Sequence, residues 1–163
     1  MEADMVLYEA EFEQIVAELN RLQTQSGAKL VFLVDRNGQL IASAGETSGV
    51  DTTSLASLTA GNLAATSGIA RLLGEREFSI LFHEGEQDNI HISLVGHRVI
   101  LVVVFDRRTS LGLVRLRVKQ SVDVLSEIFA RLFQKVEQEK RGADVGLSPL
   151  AEISDEDIDR LFG

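Results

Sequence analysis

One stretch constrains this chain more than any other: Asp51 to Leu73, DTTSLASLTAGNLAATSGIARLL, which carries two different faces at helical spacing. At about 100° per residue, Leu55, Leu58, Asn62, Ala65, Ile69 and Leu72 fall on one side, the apolar stripe by which an amphipathic helix packs on its own domain. Ser57, Ala60, Gly61, Ala64 and Gly68 fall roughly opposite, with Arg71 at the end, where a surface helix normally carries long charged side chains. A glycine inside a helix costs about 1 kcal/mol against alanine, so two on one face call for a compensating contact, and close approach of another backbone supplies one. Two coverings satisfy that demand, a second layer of the same domain or a subunit or partner. The ends are marked by Asp51 as N-cap, by Val50 and Leu55 as a hydrophobic staple, and by Gly74 as a C-terminal stop.

Around this helix the chain reads in order. Tyr8, Phe12, Ile15, Leu19 and Leu22 step by four and three, with Glu9, Glu11, Glu13, Glu18 and Arg21 between them, which predicts an amphipathic helix ending near Ser26-Gly27. Lys29 to Val34 is a strand, and Asp35-Arg36-Asn37-Gly38 turns it into a second strand over Gln39 to Ala44. After the helix come a short strand over Phe78 to Phe82, an alternating strand around Ile90, Ile92 and Leu94, and the buried strand Val99 to Phe105. In the alternating strand His91 and Ser93 point away from the core, toward solvent or a partner. Leu111, Val114, Val118, Val122, Leu125, Phe129, Leu132 and Val136 then hold a helical spacing for about seven turns, although Leu116 to Lys119 also alternates like a strand. The order is α-β-β-α-β-β-β-α, an α+β domain with a five-stranded antiparallel sheet. The two outer helices are expected on one face and the middle helix alone on the other.

Residues 1–141 are expected to form this domain, and 142–163 a linker, GADVGLSP, with a short acidic helix. In that tail Ser154 can cap the helix, Asp157 completes a capping box, and Ile158, Leu161 and Phe162 share one face. Ala151 to Phe162 carries a net charge of -4, and two turns are too short to be stable alone in water. It reads either as a recognition helix that docks on a partner or as a segment folded back on the basic stretch Arg107 to Lys119. That stretch, with Arg107, Arg108, Arg115, Arg117 and Lys119, is itself either a solvated helix start or a docking patch for an acidic segment.

Composition narrows the function. Sixteen basic against twenty-five acidic residues leave a net charge of -9, which argues against nucleic acid or anionic lipid as the main partner. No cysteine is present, so thiolate chemistry and disulfides are excluded, and the acidic N-terminus and short apolar runs predict a cytoplasmic protein with no membrane span. No GxxxxGK[ST] loop exists, and His83, His91 and His97 lack spacing for a shared metal. Ser26 and Lys29 match S-x-x-K without its companion motifs, and Asp155, Asp157 and Asp159 lack the glycine and glutamate of a calcium loop. No cofactor, metal or catalytic residue is expected, and the chain does not read as an enzyme.

The element order, together with FLVDRNGQLIASAG, DTTSLASLTAGN, LVVVFDRRTSLGLVRLRVK and AEISDEDIDRLFG, resembles the Roadblock family over residues 6 to 162, and within it the bacterial regulators of gliding motility. The resemblance implies a homodimer joined through its sheets, with the middle helices side by side as a platform for one Ras-like small GTPase (MglA-like). It also implies GTPase activation and control of cell polarity. The GTPase then supplies its own Arg and Gln, and the dimer stabilises the switch conformation that positions them, unlike the arginine-finger route. The interface is expected on Ser57, Gly61, Ala64, Gly68 and Arg71, of which Arg71 could reach a bound phosphate, and the tail is expected to dock through Ile158, Leu161 and Phe162. Two alternatives stand beside this reading: a Roadblock-type adaptor that binds a GTPase without a rate effect, and a small-molecule sensor. The lack of converging polar residues on the strands argues against the sensor.

Overall fold

A computed structural model describes the backbone of residues 2–145 and the side chains of residues 8–142. The expected tail contacts Ile158, Leu161 and Phe162 lie outside the described residues. Eight elements follow the expected order: α1 (Glu2–Ser26), β1 (Leu30–Asp35), β2 (Leu40–Gly45), α2 (Thr52–Leu72), β3 (Ile80–Glu84), β4 (Asn89–Val95), β5 (Val99–Phe105) and α3 (Leu111–Val145). The strands form one antiparallel sheet in the order β2-β1-β5-β4-β3, so the most apolar strands, β1 and β5, pair with each other near its centre. The β1–β2 turn is tied by Asp35, whose Oδ1 accepts from the backbone N–H groups of Asn37 at 2.9 Å and Gln39 at 3.0 Å. Gly38 there has φ +89°, which an L side chain rarely adopts.

The two faces of the sheet build two cores. On one, Ile15, Leu19 and Leu22 of α1 and Val114, Val118, Leu125 and Phe129 of α3 pack over Val31, Leu33, Leu101 and Val103. On the other, Ala56 and Leu63 of α2 pack over Leu30, Phe32, Val34, Ile92, Ile100 and Val102. The outer helices thus share one face and α2 holds the other. The stretch Leu116 to Lys119, ambiguous by alternation, is helical. Helix α3 continues through Gly142 to Val145, four residues into the segment read as a linker.

Several expectations need correction. Phe12 is exposed rather than core, while Glu11 and Glu18, placed on the polar side by sequence, are buried between α1 and α3. Glu18 accepts from both Arg21 Nε at 2.9 Å and Arg21 Nη2 at 2.7 Å, and from Ser121 Oγ at 2.8 Å, while Lys135 pairs with Glu11. Lys135 and Ser121 of the facing helix, together with Arg21 one turn along α1, make burial of these carboxylates tolerable, which the apolar period of α1 does not show. Strand β3 begins two residues later than expected, because its ladder with β4 runs from Ile80 opposite Ser93 to Glu84 opposite Asn89.

Candidate partner-binding surface

Helix α2 begins where sequence placed it: Asp51 Oδ1 accepts from the Ser54 N–H at 3.0 Å and Oδ2 from the Ser54 hydroxyl at 2.6 Å, bonds that hold the Asp51 carboxyl below its usual range. It ends in a Schellman motif, with Glu75 N–H donating to Ala70 O at 2.9 Å and Gly74 N–H to Arg71 O at 3.2 Å, and Gly74 at φ +78°.

Its rotation about its axis differs from the expectation. The residues that face the sheet are Ala56, Thr59, Leu63 and Ala70, with Leu55 and Asn62 half-buried at the margin. Of the stripe expected in the core, Leu58 is 71% exposed, Ile69 52% and Leu72 87%, and Ala65 is exposed as well. The helix is turned by roughly a third of a revolution relative to the leucine stripe, at 3.6 residues per turn. Small residues at Ala56 and Ala70 and the short Thr59 let α2 lie against the strands, and Thr59 satisfies its buried hydroxyl by donating to Leu55 O at 2.7 Å.

The outward face therefore unites two sets of side chains. Ser57, Gly61, Ala64 and Arg71 are exposed, and Gly68 is half-buried. A Cβ added at Gly61 or Gly68 would meet nothing, so no other part of the described chain covers the strip at those two positions, while the turn at Gly38 lies against its first part at Ser57 and Ala60. Beside it stand Leu58, Ile69, Leu72 and Leu73, apolar and uncovered. A helix face that is part glycine and alanine and part exposed leucine and isoleucine is built to be covered by another surface. At the same side of the molecule Asn62 of α2 reaches His83 of β3, and β3 has no partner on its outer edge among the described strands. Sequence reasoning missed Leu58, Ile69 and Leu72 as surface residues because their spacing is the same on either side of a helix.

No group of three His, Cys, Asp or Glu among the described residues is placed to hold a metal ion. No described helix is long and apolar enough to cross a membrane.

The Roadblock/LC7 domain model matches residues 15–105, from the first core residue of α1 to the end of β5. The chain belongs to the Roadblock/LC7 family. Among solved structures, this Roadblock/LC7 chain is similar to Myxococcus xanthus MglB, with 59% identity over 72% of this chain and 96% of that chain and a TM-score of 0.71. It is also similar to the gliding protein MglB of Thermus thermophilus, with 34% identity over 73% and 90% of the two chains and a TM-score of 0.69. A third structure, of MglB with tetrameric arrangement, matches with 34% identity over 73% and 90% and a TM-score of 0.70. No curated protein matches the chain significantly in sequence.

Proposed function

We propose that this Roadblock/LC7 chain is a homodimeric activator of an MglA-like Ras-type GTPase, acting in the cytoplasm on cell polarity and motility. The observation that carries the proposal is the 59% identity to Myxococcus xanthus MglB. The uncovered face of α2 supports it physically. Pairing of the open edge of β3 with its copy in a second chain joins two sheets and sets two α2 helices side by side, which removes an exposed strand edge from each protomer. The GTPase then rests on Ser57, Gly61, Ala64 and Gly68, where the absence of long side chains permits close backbone approach, with Arg71 at the border.

That strip offers no general base and, apart from Arg71, no cation. Activation therefore runs through conformation: the dimer binds the hydrolysis-competent arrangement of the switch loops better than the other arrangement and so raises its population. The groups that position water and stabilise charge belong to the GTPase. The tail adds affinity by docking Ile158, Leu161 and Phe162 on the same GTPase, tethered through the linker that contains Pro149. Single-turnover hydrolysis of GTP by the cognate GTPase, with and without this protein, tests the reading. Stimulation is expected; tight binding with an unchanged rate would make the protein an adaptor.

A further inference from the structure

On the opposite face of the sheet from α2, between β3, β4 and the first half of α3, lies a cavity of about 510 Å³. Its floor holds His91 and Ser93 of β4, which the sequence pattern turned toward solvent or a partner and which are 2% and 4% exposed. Ser93 Oγ lies 3.3 Å from His91 Nδ1, while His91 Nε2 is buried without a hydrogen-bond partner. Ile80 and Leu116, both exposed, line the cavity on the strand and helix sides. Arg115 and Lys119, four residues apart on one face of α3, line it as well, and neither forms an ion pair with a described residue. Asp123 is the one carboxylate among the lining residues, so the cavity keeps a net positive charge in a chain whose own net charge is -9. The polar residues whose convergence the strands did not reveal come together here, because α3 supplies the cations and β4 the imidazole.

We propose that this cavity is a binding site for a small organic acid with an apolar body, its carboxylate held by Arg115, Lys119 and the His91 Nε2–H. An apolar cavity with a few placed polar groups is the usual form of a small-molecule site, and this volume suits one compact ligand. A protein partner would need a footprint of about 800 Å². Burial, and next the nearby Arg115, hold the imidazole neutral below its ordinary range. A neutral ring whose Nδ1 accepts from the Ser93 hydroxyl carries its proton on Nε2, the buried N–H that has no hydrogen-bond partner and that an anion entering beside it would satisfy. Two cations at the rim then supply charge-assisted bonds to the same group.

Sodium octanoate is the probe, added to the full-length protein with ring spectra of His91 and methyl spectra of Ile80 and Leu116 as readout. Saturable shifts at all three positions are expected, with much smaller shifts from octanol or inorganic phosphate at the same concentration. The Arg115→Gln/Lys119→Gln variant, altered only at exposed positions, should keep its melting temperature and bind octanoate roughly tenfold more weakly. Octanol acting as well as octanoate, or unchanged affinity in the double variant, would overturn the proposal. So would octanoate binding that appears only after residues 148–163 are removed, which would assign the cavity to the chain's own acidic segment.

Discussion

The Asn62 side-chain amide lies 2.9 Å from His83 Nε2, so the middle of α2 is tied to the open-edged strand β3. The amide N–H donates to the bare ring nitrogen. This link crosses between the two elements that lack a covering layer, and it makes one surface of the small-faced helix and the free strand edge.

That surface predicts a homodimer in solution. Ile80 is 52% exposed on β3, and an open strand with apolar side chains is a template for pairing. Light scattering coupled to gel filtration at micromolar concentration should give twice the chain mass of 17.9 kDa. A monomer mass would remove the basis for a two-helix platform.

Substitutions on the α2 strip should separate partner binding from folding. Because Gly68 has open space above it, Gly68→Arg gains helix propensity, and it should hold or raise stability by about 0.5–1 kcal/mol. Ala64→Arg, at an exposed position, should change stability by no more than about 0.5 kcal/mol. Both place a long charged side chain where close approach is needed, so GTPase affinity and rate stimulation should fall together by roughly tenfold or more. Normal stimulation by either variant would put the interface elsewhere.

Arg71 distinguishes the two routes to activation. It is exposed in the last turn of α2, and Arg71→Ala should lower affinity modestly and leave the maximal hydrolysis rate unchanged at saturating protein. A rate loss of about 10³-fold or more with binding retained would show instead that Arg71 acts in trans as an arginine finger.

Removing residues 148–163 should leave the dimer and its melting temperature nearly unchanged while weakening GTPase binding and its salt dependence, since the tail from 151 to 162 carries a net charge of -4. A lower melting temperature with unchanged affinity would assign the tail to the domain.

Glu11 gives stability a pH dependence. Burial by itself would raise the Glu11 carboxyl, but the hydrogen bond from Lys135, with the charges of Lys135 and Arg131, outweighs it and holds the group below its usual range. A carboxyl depressed in the folded state contributes stability that is present above its unfolded value and lost as pH falls through the folded value. Urea stability should therefore decline as pH drops through and below the carboxylate range. Glu11→Gln should be less stable near neutral pH by about 1 kcal/mol and decline less steeply in acid. Identical pH slopes for the two proteins would show that the pair adds no linked stability.

Sequence alone determined the element order, the capped limits of α2 and the Asp35 to Gly38 turn. These follow from local chemistry and from apolar period, which a linear chain displays directly. It also singled out Ser57, Gly61, Ala64 and Gly68, because glycine on a helix surface is anomalous wherever the helix sits. Tertiary structure alone decided which side of α2 meets the sheet. The leucine stripe and the small-residue side both repeat at helical period, and the close approach permitted by Ala56, Thr59 and Ala70 outweighed burial of Leu58, Ile69 and Leu72. It decided likewise that Glu11 and Glu18 are buried and that His91 and Ser93 face a cavity. In each of these last cases part of the surroundings, Lys135, Ser121 or Arg115, comes from α3, far along the chain, and period along one element carries no record of what packs against it.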